Sequence, residues 1–272
     1  MGTKRICSNG SGAFDANEVF AMAVLSLRHP KDQIIRSSSS TFRRDSDIVF
    51  SSGQIDALTS GEFSAFLFIW MAHGKELCGG DDEVALYIDR VLVQALWQGE
   101  SPRRKRDFDS GLRDAIAVFN PTRGEPADEL PSFREAVTFA KQIIQRTIIQ
   151  GQAVMRAREH ILNAHRAVVD PRVLVLDMQH PWEYVVITEA PSALLVVSPD
   201  ARGFWRVDGV PQKIGSSDFR KLLPAPWAGL RMEELVQATS VPDAVFAHQN
   251  RALCAAKSLQ GVLDLIRVAL EE

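Results

Sequence analysis

Cysteine is scarce in this chain of 272 residues. The three cysteines, Cys7, Cys78 and Cys254, lie far apart and form no Cys-x-x-Cys pair. An odd, scattered set of cysteines argues against a disulfide framework and against a structural zinc site. Because such cysteine usage is typical of a reducing compartment, we predict a cytoplasmic protein.

Long apolar runs and excess positive charge are also missing. No run approaches the roughly 20 apolar residues that a membrane span needs, and Ser8 follows Lys4 and Arg5 without the apolar segment of a signal peptide. We therefore expect no membrane association. The net charge of −3 offers no general attraction to nucleic acid, and the 46% hydrophobic content is ordinary for a globular protein.

The apolar pattern of the first half alternates between strand-like and helix-like segments. Short runs at 4–7, 33–36 and 47–50 suit buried parallel strands, and the patterns at 19–27, 63–72 and 84–97 suit helices. This alternation predicts the α/β class, with a parallel sheet covered by helices.

A long helical pattern at 133–168 separates this half from a different second half. Short strand-like runs follow at 173–176, 184–187, 194–197 and 204–207, and an amphipathic helix is predicted at 258–272. We predict two domains: residues 1–168, which include the long connecting helix, and a smaller α+β domain of residues 169–272.

The loop from Ser8 to Glu18 joins the first strand to the first helix and contains Gly10 and Gly12. A strand, a glycine-bearing turn and a helix N-terminus suit an anion or a metal-bound phosphate. Catalytic metals also need converging His and Asp side chains, and this loop has no His and a single Asp, Asp15.

Several motifs of the second half occur in a distinctive order. They are His180-Pro181-Trp182-Glu183, Gly203-Phe204-Trp205-Arg206-Val207, Phe219-Arg220-Lys221-Leu222-Leu223-Pro224, Trp227-Ala228-Gly229-Leu230-Arg231 and Val245-Phe246-Ala247-His248. Together with the glycine loop they make the chain resemble the melanocyte-proliferating-gene-one (Myg-type) family of the DHH phosphoesterase superfamily. The resemblance implies a DHH-like metal-binding domain, typically with manganese, a second substrate-binding domain, and phosphodiester hydrolysis, in particular 3′ to 5′ trimming of RNA.

The family's metal ligands are not found at the matching positions. When the loop is aligned with the family on Gly12 and Phe14, the positions of the family's metal ligands fall on residues that cannot form the same metal centre. The Asp-His-His segment expected after Gly53 is also missing. The vestigial positions are Gly10, Asp15, Asn17, Ser51, Gln94 and Trp97. Neutral side chains do not offset a divalent charge.

These replacements predict a pseudoenzyme, a catalytically degenerate homologue that needs no cofactor. Asp15 and Asn17 are the residues that could still touch a metal, although capping of the first helix explains them better. One alternative is a diverged, manganese-dependent hydrolase or nuclease that uses Asp15, Glu18 and Asp56. Another is a purely structural protein-interaction module, with the old cleft filled by Phe50 and Trp97.

The second half offers a candidate binding set for a nucleotide or an RNA end, and a protein partner is the other option. Its members are Arg220, Arg231, His248, Asn250, Arg251 and Lys257. Arginine pairs with phosphate through a planar fork, and His or Asn adds a directed hydrogen bond. Pairing of these arginines with nearby acids is the structural alternative. His160 and His165 are five positions apart, so they lie on different helix faces and do not predict a metal pair.

Overall fold

The protein is described by a computed structural model, which covers residues 5–8, 10, 12–41, 46–50, 64–98, 108–122 and 129–271. Its contacts divide the chain into two compact units, Met1–Gln152 and Ala153–Glu272. The predicted mixed α/β class is confirmed, whereas the DHH-like assignment and the domain boundary after residue 168 stay predictions.

The first unit contains a parallel sheet of three strands in the order β2-β1-β3. The strands are β1 (Arg5–Ser8), β2 (Gln33–Arg36) and β3 (Ile48–Phe50). Their register pairs Ser8 with both Arg36 and Phe50. The last residues of all three strands therefore lie side by side at the carboxyl edge of the sheet, where open α/β sheets usually bind ligands.

Helices follow and connect these strands in the described part of the first unit. They are α1 (Ala16–Arg28), α2 (Ala65–Leu77), α3 (Asp82–Ile88), a π-helical turn (Asp89–Val93), α4 (Gln94–Gln98) and α5 (Phe108–Ala117). Every residue of α1 from 16 to 26 is buried, because the helix is apolar nearly all round. The rings of Phe20 in α1 and Phe66 in α2 lie 5.2 Å apart between centroids and join the two helices.

The longest helix, α6 (Leu130–Ala167), matches the predicted pattern closely. Within the first unit it buries Phe133, Ala136, Val137, Ala140 and Ile144, which follow the three- and four-residue spacing of a helix face. The division between the two units falls inside this helix, after Gln152.

The second unit is built on a mixed sheet of five strands in the order β4-β5-β6-β8-β7. Its elements are β4 (Val173–Val175), α7 (Glu183–Glu189), β5 (Leu195–Pro199), β6 (Trp205–Gly209), a 3₁₀ turn (Ala225–Trp227), α8 (Met232–Thr239), β7 (Ala244–Ala247), β8 (Leu253–Ala256) and α9 (Leu259–Glu271). β4 and β5 are parallel and joined through α7, and the other strand pairs are antiparallel. The apolar face of α9 packs into the same core as β5, β6 and β8.

One predicted strand is wrong. Residues 184–187 lie in helix α7, where Tyr184, Val185 and Val186 are buried. An apolar run this short does not distinguish a strand from one buried side of a helix turn, and Glu183 at the start favours the positive end of a helix. Among the described residues, no helix combines the length and apolar character that crossing a membrane requires.

Candidate functional site

The carboxyl edge of the first sheet is occupied by an arginine. Arg36, the last residue of β2, has a side chain that is only 3% exposed. Its Nε donates to Oε1 of the equally buried Glu18 at 2.8 Å, and its Nη1 donates to Glu129 and to the carbonyl of Gly12, the latter at 2.7 Å. The hydroxyl of Ser8 donates to the same Glu18 oxygen. These contacts form an ion-pair cluster, which we call the Arg36 cluster, of Ser8, Glu18, Arg36 and Glu129.

Two aromatic rings enclose the same guanidinium. Its central carbon lies 5.6 Å from the ring centroid of Phe14 and 5.5 Å from that of Phe133. Both distances fall within the range of cation–π attraction. Asn120 fixes the loop around Phe14, since its side chain accepts from the Phe14 amide at 2.7 Å and donates to the Phe14 carbonyl at 2.9 Å.

Gly10, the first vestigial position, lies directly against the Arg36 cluster. A Cβ atom at this position would come within 2.7 Å of Glu18 Oε1 and 2.9 Å of Arg36 Nη2. Both distances are shorter than van der Waals contact, so a side chain at position 10 requires the ion pair to move. The space next to Gly10 is taken by the guanidinium.

Asp15 caps α1, as the sequence interpretation favoured. Its Oδ1 accepts a hydrogen bond from the Glu18 amide at 2.8 Å, and its backbone is extended as in other N-caps. Surrounding protein raises the pKa of this carboxyl by desolvation, while the hydrogen bonds from backbone amides oppose that rise. Asn17 is buried within the first turn of the helix.

Of the remaining vestigial positions, the structure describes the side chain of Gln94 but not those of Ser51 and Trp97. Gln94 begins α4, and its side-chain Nε2 donates to Asp89 Oδ2 at 2.5 Å. Ser51 lies outside the described residues, as does Asp56 of the alternative hydrolase site, and Trp97 is described only through its backbone in α4.

In the second unit, Arg220 is bound by backbone oxygens. It donates from Nη1 to the carbonyls of Ala190 and Ala193, each at 2.9 Å, and from Nη2 to that of Ile187 at 3.0 Å. These carbonyls surround the C-terminal end of α7. Desolvation lowers the pKa of this guanidinium. Arg220 therefore stabilises the backbone at the end of α7, and its role in ligand binding stays a prediction.

The turn between β7 and β8 gathers three of the predicted ligand-binding residues. His248 Nδ1 lies 2.7 Å from Asn250 Oδ1, which also accepts from the Ala252 amide at 3.1 Å. The backbone amide of Asn250 also donates to His248 Nδ1, at 3.2 Å. Arg251 has a left-handed backbone, with φ of 62°, and donates from Nε to the Leu223 carbonyl at 2.7 Å.

The other two predicted residues lie outside this turn. Arg231 is the N-cap residue of α8, and its Cζ atom lies 6.0 Å from the centroid of the Phe246 ring on β7. Lys257 follows β8, and its amide donates to the Asp243 carbonyl at 2.9 Å, which puts it at the opposite end of the β7–β8 hairpin.

Sequence reasoning missed the residues that dominate the first site. Ser8, Arg36 and Glu129 were not proposed as site residues, although the end of a parallel strand is where such residues are expected. One sequence feature could have identified Arg36: it is a charged residue at the end of an apolar segment that otherwise suits a buried strand.

Comparison with known proteins gives a consistent family. The family described as uncharacterised protein family UPF0160, with the short name MYG1_exonuc, matches residues 85–270. The human protein named MYG1 exonuclease is 29% identical over an aligned length of 198 residues, and the alignment covers 68% of this chain and 52% of that protein. The MYG1 protein YER156C of Saccharomyces cerevisiae is 26% identical over 98% of this chain and 96% of its own length. A MYG1 protein of Chlamydia pneumoniae is 23% identical over 100% and 99%, respectively.

The aligned region spans about half the length of the human and bovine relatives. No solved structure matches the chain. The family match covers more than half of the chain and includes the whole second unit apart from its last residues. The chain therefore belongs to the MYG1 family.

Proposed function

We propose that this chain is a catalytically degenerate member of its family, a pseudoenzyme that binds a nucleotide, an RNA end or a protein partner instead of hydrolysing phosphodiesters. Relatives named MYG1 exonuclease support descent from a family of nucleases. The observation that carries the proposal is the buried Arg36 guanidinium at the edge of the first sheet, paired with Glu18.

A guanidinium at this edge is incompatible with a divalent cation in the same place. Arginine stays protonated in proteins, so Arg36 supplies a permanent positive charge that repels a metal ion. Its partner Glu18 is already used by the Arg36 pair and the Ser8 hydroxyl. The described residues at this edge do not fit the manganese centre that the family resemblance implies, and we propose that the protein works without a metal cofactor there.

The remaining carboxylate of the loop is a poor substitute. Asp15 uses Oδ1 to cap α1. Two-metal hydrolysis needs several carboxylate or imidazole ligands that bridge and flank the ions. Asp15 with the amide of Asn17 supplies fewer ligands than such a centre requires.

The diverged hydrolase is the weaker alternative, because Glu18, one of its three proposed residues, is neutralised by Arg36. The interaction module gains some support from Phe50, which is buried at the same edge. The turn that holds His248 and Asn250 favours ligand binding over a purely structural role, since both side chains are exposed and arranged by mutual hydrogen bonding.

An RNA-trimming assay tests the loss of catalysis. We expect no release of nucleotides from a short single-stranded RNA above the level without protein, with manganese or magnesium present. The diverged hydrolase predicts metal-dependent release that Asp15→Ala abolishes and that Asp82→Ala, a change in an exposed acid of α3, leaves intact. That pair of results would overturn the proposal.

Thermal shift with nucleotides and short RNAs tests the binding role. A ligand present at one hundred times its Kd stabilises the folded state by about 2.7 kcal/mol, which corresponds to a rise in Tm of about 5–10 °C. We expect such a rise with the wild type, a smaller one with His248→Ala, and no change in the rise with His165→Ala. Absence of a shift with every nucleotide and RNA tested favours the protein-interaction module.

A further inference from the structure

Two histidines and an aspartate, none of them among the candidate site residues above, converge in the second unit. His160 lies on α6, Asp177 follows β4, and His180 precedes α7. One ligand atom from each residue lies within 4.8 Å of the other two. The Nε2 atom of His160 is 2.8 Å from Asp177 Oδ1, and the Nε2 atom of His180 is 3.8 Å from the same oxygen.

Hydrogen bonding within the protein accounts for only part of this cluster. His160 and Asp177 form an ordinary contact between exposed side chains. His180 is different: its side chain is 15% exposed, and its Nε2 is buried and finds no hydrogen-bond partner among the described residues. A buried ring nitrogen that points at a carboxylate oxygen from beyond hydrogen-bond distance indicates room for a bridging ligand.

The spacing of the three ligand atoms suits a metal ion. Bonds of about 2.0–2.1 Å in tetrahedral geometry place neighbouring ligand atoms about 3.4 Å apart. The two separations measured from Asp177 Oδ1, 2.8 and 3.8 Å, lie on either side of that value. The imidazole rings of His160 and His180 are 4.6 Å apart between centroids, so small side-chain rotations bring both nitrogens to one point.

The ligand types select the class of metal. Two imidazoles with one carboxylate favour zinc and its first-row neighbours over magnesium or calcium, which prefer oxygen ligands. Three protein ligands leave at least one coordination position open for water or an anion.

The scaffold around the cluster also holds two of the three ligands in place. The amide of Leu176, next to Asp177, donates to the Val197 carbonyl on β5 at 2.8 Å, and the Trp182 amide donates to the His180 carbonyl at 2.9 Å. Because the backbone on each side of the Asp177–His180 segment is held by these bonds, only the side chains need to adjust when an ion binds.

We propose that His160, Asp177 and His180 form a binding site for one divalent transition-metal ion, of which zinc is the best probe. Binding places the ion between the two Nε2 atoms and Asp177 Oδ1, and it requires both imidazoles in their neutral form. The site does not depend on the proposed function of the first unit.

Calorimetry with zinc chloride on the full chain tests the proposal. We expect saturable binding of one zinc ion per chain at pH 7.5. Affinity should fall at least tenfold in His160→Ala and in Asp177→Asn, both changes at exposed side chains. His165→Ala, which removes a half-buried histidine of the same helix, is the matched control and should bind as the wild type does.

Cobalt identifies the ligands independently of stability. Cobalt bound to nitrogen and oxygen gives visible bands without thiolate charge transfer, and these bands should disappear in Asp177→Asn. No saturable zinc binding would overturn the proposal. Binding that is unaffected by His160→Ala and Asp177→Asn, or a thiolate–cobalt band, would also overturn it, because the ion would then lie elsewhere.

Discussion

Arg36 brings a permanent charge into the interior of the first unit, and the side chains around it are arranged to receive that charge. Glu18 lies at one side, Glu129 at the other, and the rings of Phe14 and Phe133 cover the guanidinium. A buried ion pair contributes little net stability, but removal of one partner leaves the other charge uncompensated. The Arg36 cluster should therefore be sensitive to single changes.

We predict that Arg36→Met lowers the free energy of unfolding by about 3–5 kcal/mol, because Glu18 is left buried without its counter-charge. Adding Glu18→Gln should restore part of the loss. Chemical denaturation monitored by circular dichroism measures both variants. Arg28→Met is the control: its pair with Glu76 is exposed at the surface and should matter by less than about 1 kcal/mol. Equal effects of Arg36→Met and Arg28→Met would contradict the buried role of Arg36.

Cys254 carries a prediction about alkaline pH. Burial in the core of the second unit, with a smaller contribution from the charge of Asp208, raises the pKa of this thiol to about 12. The thiol of the unfolded chain ionises near pH 8.5. Above about pH 8.5 the unfolded state therefore loses a proton that the folded state keeps. The contribution of the neutral thiol to the free energy of unfolding is complete below about pH 8.5 and is lost as pH rises toward 12.

The comparison of wild type with Cys254→Ala isolates this effect. Between pH 8.5 and 10 we expect the wild type to lose stability more steeply than the variant, by up to about 1.4 kcal/mol per pH unit. Denaturation at several pH values measures the two slopes. Parallel slopes would show that the thiol is not protected from ionisation.

Single residues also show where sequence reasoning stops. The cap at Asp15 is predictable because it depends on positions three apart, Asp15 and Glu18. The Arg36 cluster is not, because its members come from β1, α1, β2 and the residue before α6, and no spacing rule joins them. The cluster of His160, Asp177 and His180 escaped for the same reason.

At the scale of elements, packing corrected the sequence pattern in two places. Helix α2 continues to Leu77, beyond the predicted pattern at 63–72, and it contains Gly74, where a Cβ would meet the ring of Trp70 one turn earlier. The strand expected at 184–187 is helix α7. The predicted bounds of strands β2 and β3 agree with the structure to within one residue, because short β-branched segments between polar residues are typical of strands.

Gly74 gives a test of this packing. Replacing a helical glycine by alanine usually stabilises a helix by about 1 kcal/mol. A Cβ at position 74 would lie 2.6 Å from Cε2 of Trp70, whose ring is buried, so we predict that Gly74→Ala destabilises the protein. Thermal denaturation measures the sign of the change.

Gly111 in α5 is the matched control. A Cβ there meets no atom within 4 Å among the described residues, so Gly111→Ala should stabilise the protein by about 0.5–1 kcal/mol. A stabilising Gly74→Ala would mean that the Trp70 ring can move aside and that the glycine is not needed.

At the scale of the whole molecule, the two units provide different kinds of evidence. The family match covers residues 85–270 and leaves out the glycine loop and the first sheet. Ser8, Glu18 and Arg36 of the Arg36 cluster lie in the part of the chain that the family match does not reach, whereas Glu129 lies inside it.

The central claim is that the charge of Arg36 takes the place of a divalent cation at the first sheet. Manganese binding measured by electron paramagnetic resonance tests it most directly. The Asp177→Asn variant is the protein to use, because it removes the proposed metal site of the second unit. The account predicts that manganese stays free in solution when this variant is added. Stoichiometric manganese binding that Asp15→Ala abolishes would contradict it.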